Sequence, residues 1–95
     1  MLSILISPSI LQKLQTKHDV SEREVHQCFD NKCGMYVEEI RTEHKTDPST
    51  LWFLADTNKG RTLKICFIYK DGNIHLKTAF EPDEVDRRLY EKFGQ

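Results

Sequence analysis

His75 and Lys77 stand two residues apart in the stretch Asn73 to Phe80, where polar and apolar residues alternate, so on an extended strand both side chains leave the same face. An imidazole titrates near neutral pH and can move a proton, while fixed cations can stabilise a phosphorane-like transition state. Those are the parts needed to cleave RNA at its 2′-hydroxyl, and the chemistry requires no metal. Lys64 and Arg61 lie on the preceding β-prone stretch. From Lys59 to Lys77 there are five basic residues against one acid, Asp71, so a chain of net charge −1 carries a locally cationic segment.

What must position these groups is a hairpin. Asp71-Gly72 between Tyr69-Lys70 and Asn73-Ile74 is a strong two-residue turn signal, because a type I′ turn needs positive φ at both central residues. A loop of that length pairs Ile68 with His75, Phe67 with Leu76, Cys66 with Lys77, Ile65 with Thr78 and Lys64 with Ala79. Leu63, Ile65, Phe67, Ile74 and Leu76 then share one face, and Lys64, His75 and Lys77 the other.

The rest of the chain supplies the frame. Ser7-Pro8 starts a first helix with Ile10, Leu11 and Leu14 on its apolar face. Ser21 to Glu24 forms a capping box with Val20 and Val25 as its hydrophobic staple, opening a second helix that ends near Asp30 to Gly34. Tyr36 to Glu43 reads as a polar strand broken by Asp47-Pro48-Ser49. Leu51 to Thr57 and Arg61 to Lys70 read as a hairpin about Asn58-Lys59-Gly60. Glu81 to Glu84 opens a last helix, with Val85, Leu89 and Phe93 as its apolar stripe and Asp83–Arg87, Glu84–Arg88 and Arg87–Glu91 as i, i+4 pairs. The expected fold class is α+β: two N-terminal helices, an antiparallel sheet of about four strands and a C-terminal helix. Residues 2–6 are left open as a further strand.

Ninety-five residues leave room for one modest core and one domain, 1–95. At 38 % hydrophobic and 31 % charged, the composition is too apolar for a disordered tail. Cys28, Cys33 and Cys66 lack metal-ligand spacing and are expected as reduced thiols, Cys28 and Cys66 buried; no metal or cofactor is expected. Leu2 to Ile6 is too short for a signal peptide or a span, which predicts a cytoplasmic protein away from membranes.

Trp52, Tyr36 and Tyr69 are candidates for stacking on bases, though such residues more often pack in a core. Arg41, His44 and Lys45 form a second basic group, largely cancelled by Glu38, Glu39 and Glu43. His18 and His26 read as helix-surface residues.

Lys17-His18-Asp19-Val20-Ser21 followed by Glu24 and Phe29, then Gly60-Arg61-Thr62-Leu63-Lys64, Ile74-His75-Leu76-Lys77-Thr78-Ala79 and a last helix with Glu84 and Tyr90, resemble the BrnT toxins over about Leu11 to Lys92. The resemblance implies a RelE-like α+β fold, a metal-independent endoribonuclease of a type II toxin–antitoxin pair, RNA as substrate, and a DNA-binding antitoxin, BrnA, as partner. It points to Arg61, Lys64, His75, Lys77, Glu84 and Tyr90 as site residues. Where BrnT toxins tend to read arginine-isoleucine-isoleucine-serine-alanine-arginine, this chain has His75 to Phe80, so two arginines are replaced and Lys77 is gained. Glu43-His44, Asp47-Pro48 and Trp52-Phe53 are similar to a set of small proteins often called ADP-ribosyl-dinitrogen reductase hydrolases. Enzymes of that class resemble large helical domains around two metals, which this β-rich pattern does not build.

Two functions follow: a BrnT-like ribonuclease with His75 transferring the proton and Lys64, Lys77 and Arg61 holding phosphate, or a binding protein of the same fold without catalysis. Self-association into a homodimer is compatible with either.

Overall fold

A computed structural model describes residues 3–39 and 48–94. The short strand β1 (Ile4–Leu5) leads into α1 (Pro8–Lys13), where Ser7 Oγ accepts the Ile10 amide at 3.3 Å and proline takes the first helical position. The helix then widens into a π-helical turn, Leu14–His18, and Asp19 ends it in the left-handed region at φ 52°. Helix α2 (Glu22–Asn31) opens on the complete capping box: Ser21 Oγ accepts the Glu24 amide at 3.2 Å and Glu24 Oε1 accepts the Ser21 amide at 3.0 Å. Such a cap contributes about 1 kcal/mol. The staple residues Val20 and Val25 are both buried.

Strands β2 (Val37–Glu38), β3 (Thr50–Asp56), β4 (Thr62–Lys70) and β5 (Asn73–Phe80) complete a five-stranded sheet of order β1-β5-β4-β3-β2. It is mixed rather than a four-stranded antiparallel sheet, because β1 runs parallel to β5, with Ile4 beside Ile74 and Leu5 beside His75. The outer edge of β5 would otherwise present unpaired backbone groups, and the Ile74 amide instead reaches Ser3 O at 2.9 Å. Of the strand expected over 36–43, Val37–Glu38 forms, with Glu39 N bonding Thr50 O at 2.8 Å; residues 40–47, including Arg41, His44 and Lys45, lie outside the described residues. At the far end of β3, Cys28 Sγ and Asn31 Nδ2 donate to the carbonyls of Ala55 and Asp56 at 3.5 and 3.0 Å. Helix α2 thereby closes an edge that β2 is too short to cover.

The Asp71-Gly72 reversal has the expected positive φ angles, 55° and 77°. Ile68 pairs with His75 and Phe67 with Leu76 as expected, but from Cys66 onward the ladder shifts by one: Cys66 faces Thr78, Ile65 faces Ala79 and Lys64 faces Phe80. The expected pairs Cys66–Lys77, Ile65–Thr78 and Lys64–Ala79 are therefore corrected. Lys77 is the extra residue of a β-bulge. Its cause lies in the side chains, since Ile74, Leu76 and Ala79 all face the core at 4, 5 and 0 % exposure, and a regular strand would have turned Thr78 inward instead.

One face of the sheet carries Phe53, Leu63, Ile65, Phe67 and Leu76 against Leu14, Val20, Val25 and Cys28. The Phe29 ring stands edge-on to Phe53 and Phe67, at 4.9 and 5.5 Å between centroids, a geometry favoured by the ring quadrupoles. Helix α3 (Glu84–Phe93) lies on the other face, capped by Asp83, whose Oδ1 accepts the Asp86 amide at 2.8 Å. Its rotation differs from expectation. Val85, Leu89 and Phe93 are 63, 39 and 55 % exposed, whereas Asp86 and Tyr90 are turned to the sheet. Of the three expected i, i+4 pairs, only Glu84–Arg88 forms among the described residues, at 3.2 Å; Asp83 is engaged in the cap instead.

Candidate functional site

The six residues singled out in the sequence do not converge. His75 and Lys64 share a sheet face, but His75 is opposite Ile68 and Lys64 opposite Phe80; four residues along β4 separate them by about 13 Å. The His75 side chain is half-buried and its Nε2 is enclosed with no hydrogen-bond partner among the described residues. Lys77 sits in the bulge near Cys66, with no ion pair among the described residues, and its charge draws the Cys66 thiol down against a larger upward push from burial.

Lys64 is 4 % exposed. Its Nζ donates to Asp86 Oδ1 at 2.8 Å and lies 4.5 Å from the centre of the Trp52 ring. A lysine held between a carboxylate and an aromatic face is neither a free phosphate clamp nor an available nucleophile.

Arg61 is committed in a different way. Nη2 and Nη1 donate to the carbonyls of His18 and Asp19 at 3.0 and 2.6 Å, closing the end of the π-helical turn, while Nε donates to Glu81 at 3.1 Å and Nη1 meets Glu24 Oε2 at 3.3 Å. It straps α1, α2 and the approach to α3 together. Desolvation pushes the Glu24 carboxyl up, but the Ser21 amide and the Arg61 guanidinium outweigh it and hold its pKa below the ordinary value. Glu84 is exposed on α3 and pairs only with Arg88 among the described residues.

Tyr90 is 5 % exposed, its ring 5.8 Å from Trp52, and its Oη has no hydrogen-bond partner among the described residues. Burial raises the phenol pKa; the Leu54 backbone amide pulls the other way without reaching hydrogen-bonding geometry. The ring fits because Gly34 and Gly94 offer no side chain: a Cβ on Gly34 would lie 2.3 Å from Oη, and one on Gly94 2.3 Å from the ring. Of the six residues, Lys64 and Tyr90 are thus brought together, both against Trp52.

What the sequence reading missed is the groove that results. Between α3 and β2 lies a cavity of about 290 Å³, walled by Val37, Val85, Leu89 and Phe93, with Trp52 and the Lys64–Asp86 pair at its base. That volume is at the small end of the range for ligand sites, about 300–1,000 Å³. The signal was present: an i, i+4, i+8 apolar stripe beside a second stripe, Asp86 and Tyr90, that carries polar groups able to bond the sheet.

No family model and no curated protein matches the chain. Other candidate chemistry is weaker. Burial pushes the Cys28 and Cys66 thiols up to about 12 and about 11, so both stay protonated at neutral pH and are poor nucleophiles. Cys33 is exposed. Trp52, a candidate for base stacking that the sequence equally allows as core, is 3 % exposed, while Tyr36 and Tyr69 are 44 and 49 % exposed. Tyr36 lays its ring against Phe53 and Phe67. His26 is on the helix surface near Glu22, whereas His18 is half-buried with its ring 5.6 Å from Phe80. Among the described residues no helix is long and apolar enough to cross a membrane.

Proposed function

We propose that this chain is a binding protein on a BrnT-like, RelE-type scaffold, holding a partner protein and not cleaving RNA. The observation that carries this reading is the buried contact of Lys64 Nζ with Asp86, 2.8 Å long. One of the three cations expected to hold phosphate is satisfied inside the protein, and removing it from Asp86 would leave a buried carboxylate unpaired. Arg61 supports the same reading, since its guanidinium is already bonded to two backbone carbonyls and two carboxylates. The exposed stripe of α3 supplies a surface for binding.

The endoribonuclease toxin is a second reading, favoured by the bulge. Bulges recur beside active sites, and the residue extruded by this one is Lys77, which has no ion pair among the described residues. On that reading the partner is a BrnA-like antitoxin encoded beside the chain, and both act in the cytoplasm.

Incubation of the purified protein with RNA in EDTA separates them. The binding reading predicts no cleavage above that of a buffer blank, and the same for His75→Ala and Lys77→Ala. Cleavage by the wild type that either substitution removes would replace it with the toxin reading.

A further inference from the structure

We propose that Cys33 is a site of thiol–disulfide exchange with small disulfides whose halves are zwitterionic, cystine being the simplest, and that the cavity beside it holds the half transferred. Such a site goes beyond the binding-protein reading and does not rest on it. Cys33 follows α2 and is exposed, whereas Cys28 is buried and Cys66 half-buried. Its Sγ makes only a weak contact of 3.4 Å to Asn31 O, so the sulfur is open to a disulfide. It lines a cavity of about 350 Å³, within the usual range for small-ligand sites. This cavity lies at the Asp56 end of β3, away from the Thr50 end where Glu39 is bonded.

Two observations point to the ligand. Tyr90 is 5 % exposed and its Oη has no partner among the described residues; Gly34 and Leu54, which that oxygen lies against, line the same cavity. A buried hydroxyl left open in this way calls for a polar group. Charge says which. Arg87 and Glu91, one turn apart on α3, both line the cavity, and neither side chain has a hydrogen bond or ion pair among the described residues. The third charged residue there, Asp56, already accepts from Thr62 Oγ1 at 2.6 Å. A free guanidinium one turn from a free carboxylate suits a ligand of both signs, its carboxylate on Arg87 and its ammonium on Glu91. A purely cationic or purely anionic ligand meets one attraction and one repulsion. In the exchange the Cys33 thiolate attacks one sulfur of the disulfide. The new S–S bond forms as the old one breaks, and the other half leaves as a thiol after taking up the proton that Cys33 gave up, with no net oxidation.

The test treats the whole folded chain with cystine, with cystamine, whose halves are cationic, and with dithiodiglycolate, whose halves are anionic. Intact mass counts the adducts and peptide mapping places them. Each rate at Cys33 is divided by the rate at Cys33 in the urea-unfolded chain, which cancels the reactivity of the reagent. The cystine ratio should exceed the other two at least about threefold, the size that exposed charge contacts allow, and the excess should shrink in high salt. Arg87→Gln should abolish the advantage over cystamine, and Glu91→Gln that over dithiodiglycolate, with far-UV spectra unchanged. Equal ratios for the three reagents overturn the proposal, since they describe an accessible thiol with no site beside it. So does a cystine advantage that both substitutions leave intact, or reaction at Cys28 as fast as at Cys33.

Discussion

Under α1 and α2 the sheet offers phenylalanines and aliphatic residues, and the helices answer with Leu14, Val20, Val25 and Phe29; under α3 it offers Lys64 and Trp52, and the helix answers with Asp86 and Tyr90. The first face is joined chiefly by non-directional burial, with directional bonds from Arg61, Cys28 and Asn31 at its margins. The second is joined by one ion pair and one ring set between two glycines, which fix how α3 is rotated. That difference frees the apolar stripe of α3 for contacts outside the domain.

The largest expected effects come from breaking each face by its own chemistry. Phe53→Ala should cost about 3–5 kcal/mol, the usual loss for a large aromatic removed from a core. Lys64→Met should cost a similar amount, about 3–5 kcal/mol, because it strands the Asp86 carboxylate. The two then diverge. Adding Asp86→Leu to Lys64→Met should recover most of the loss, short of about 1 kcal/mol for the capping-box contact to the Asp83 amide. Urea midpoints of the single and double variants measure this; a double variant no better than Lys64→Met would show that the second face does not depend on charge pairing.

Gly34→Ala is next. Its Cβ would fall 2.3 Å from Tyr90 Oη and 2.4 Å from Gly94 O, a clash that should cost about 1–3 kcal/mol. A thermal melt as high as that of the wild type would mean that the loop yields easily and that Tyr90 is not clamped.

Acid should loosen the polar straps and leave the aromatic cluster alone. Glu24 has a lowered pKa through the Ser21 amide and Arg61, against desolvation, and Asp83 a lowered one chiefly through the Asp86 backbone amide. A carboxyl depressed by folding adds stability above its unfolded pKa and loses that stability as pH falls through its folded value. The urea midpoint should therefore drop below about pH 4. Glu24→Gln should flatten that drop, whereas Glu84→Gln, which breaks only an exposed pair, should leave it unchanged. Equal profiles for all three proteins would remove Glu24 from the account.

How far these features were legible depends on whether the deciding interaction is local. Ser7-Pro8, the Ser21–Glu24 box and Asp71-Gly72 act within four residues of themselves, and each was readable. The bulge at Lys77 was encoded in the change of apolar spacing from 74, 76 to 79, a weak mark that the turn signal overrode. The rotation of α3 is decided by Lys64, more than twenty residues earlier in the chain, so a rule that turns the apolar stripe inward chose the wrong face. The crowding of Tyr90 against Gly34 and Gly94 is likewise a tertiary fact with no local signature. Lys64 and Tyr90 stand out in the sequence as candidate site residues, and the structure buries both beneath α3, Lys64 on Asp86 and Tyr90 against Trp52.

Tyr90→Phe should have the smallest effect and is the most discriminating between those roles. The hydroxyl is enclosed and without a partner among the described residues, so it bears a desolvation cost that no hydrogen bond returns. Removing it while keeping the ring against Trp52 should leave stability within about 1 kcal/mol of the wild type, on the stabilising side if the small void closes. Trp52 emission should scarcely move, since the ring contact is retained. If Tyr90 instead served a reaction through its oxygen, the same substitution would leave stability alone but remove activity toward RNA. A loss of stability well beyond 1 kcal/mol would point to a hydrogen bond made by that oxygen, and the joint beneath α3 would then be polar at both ends.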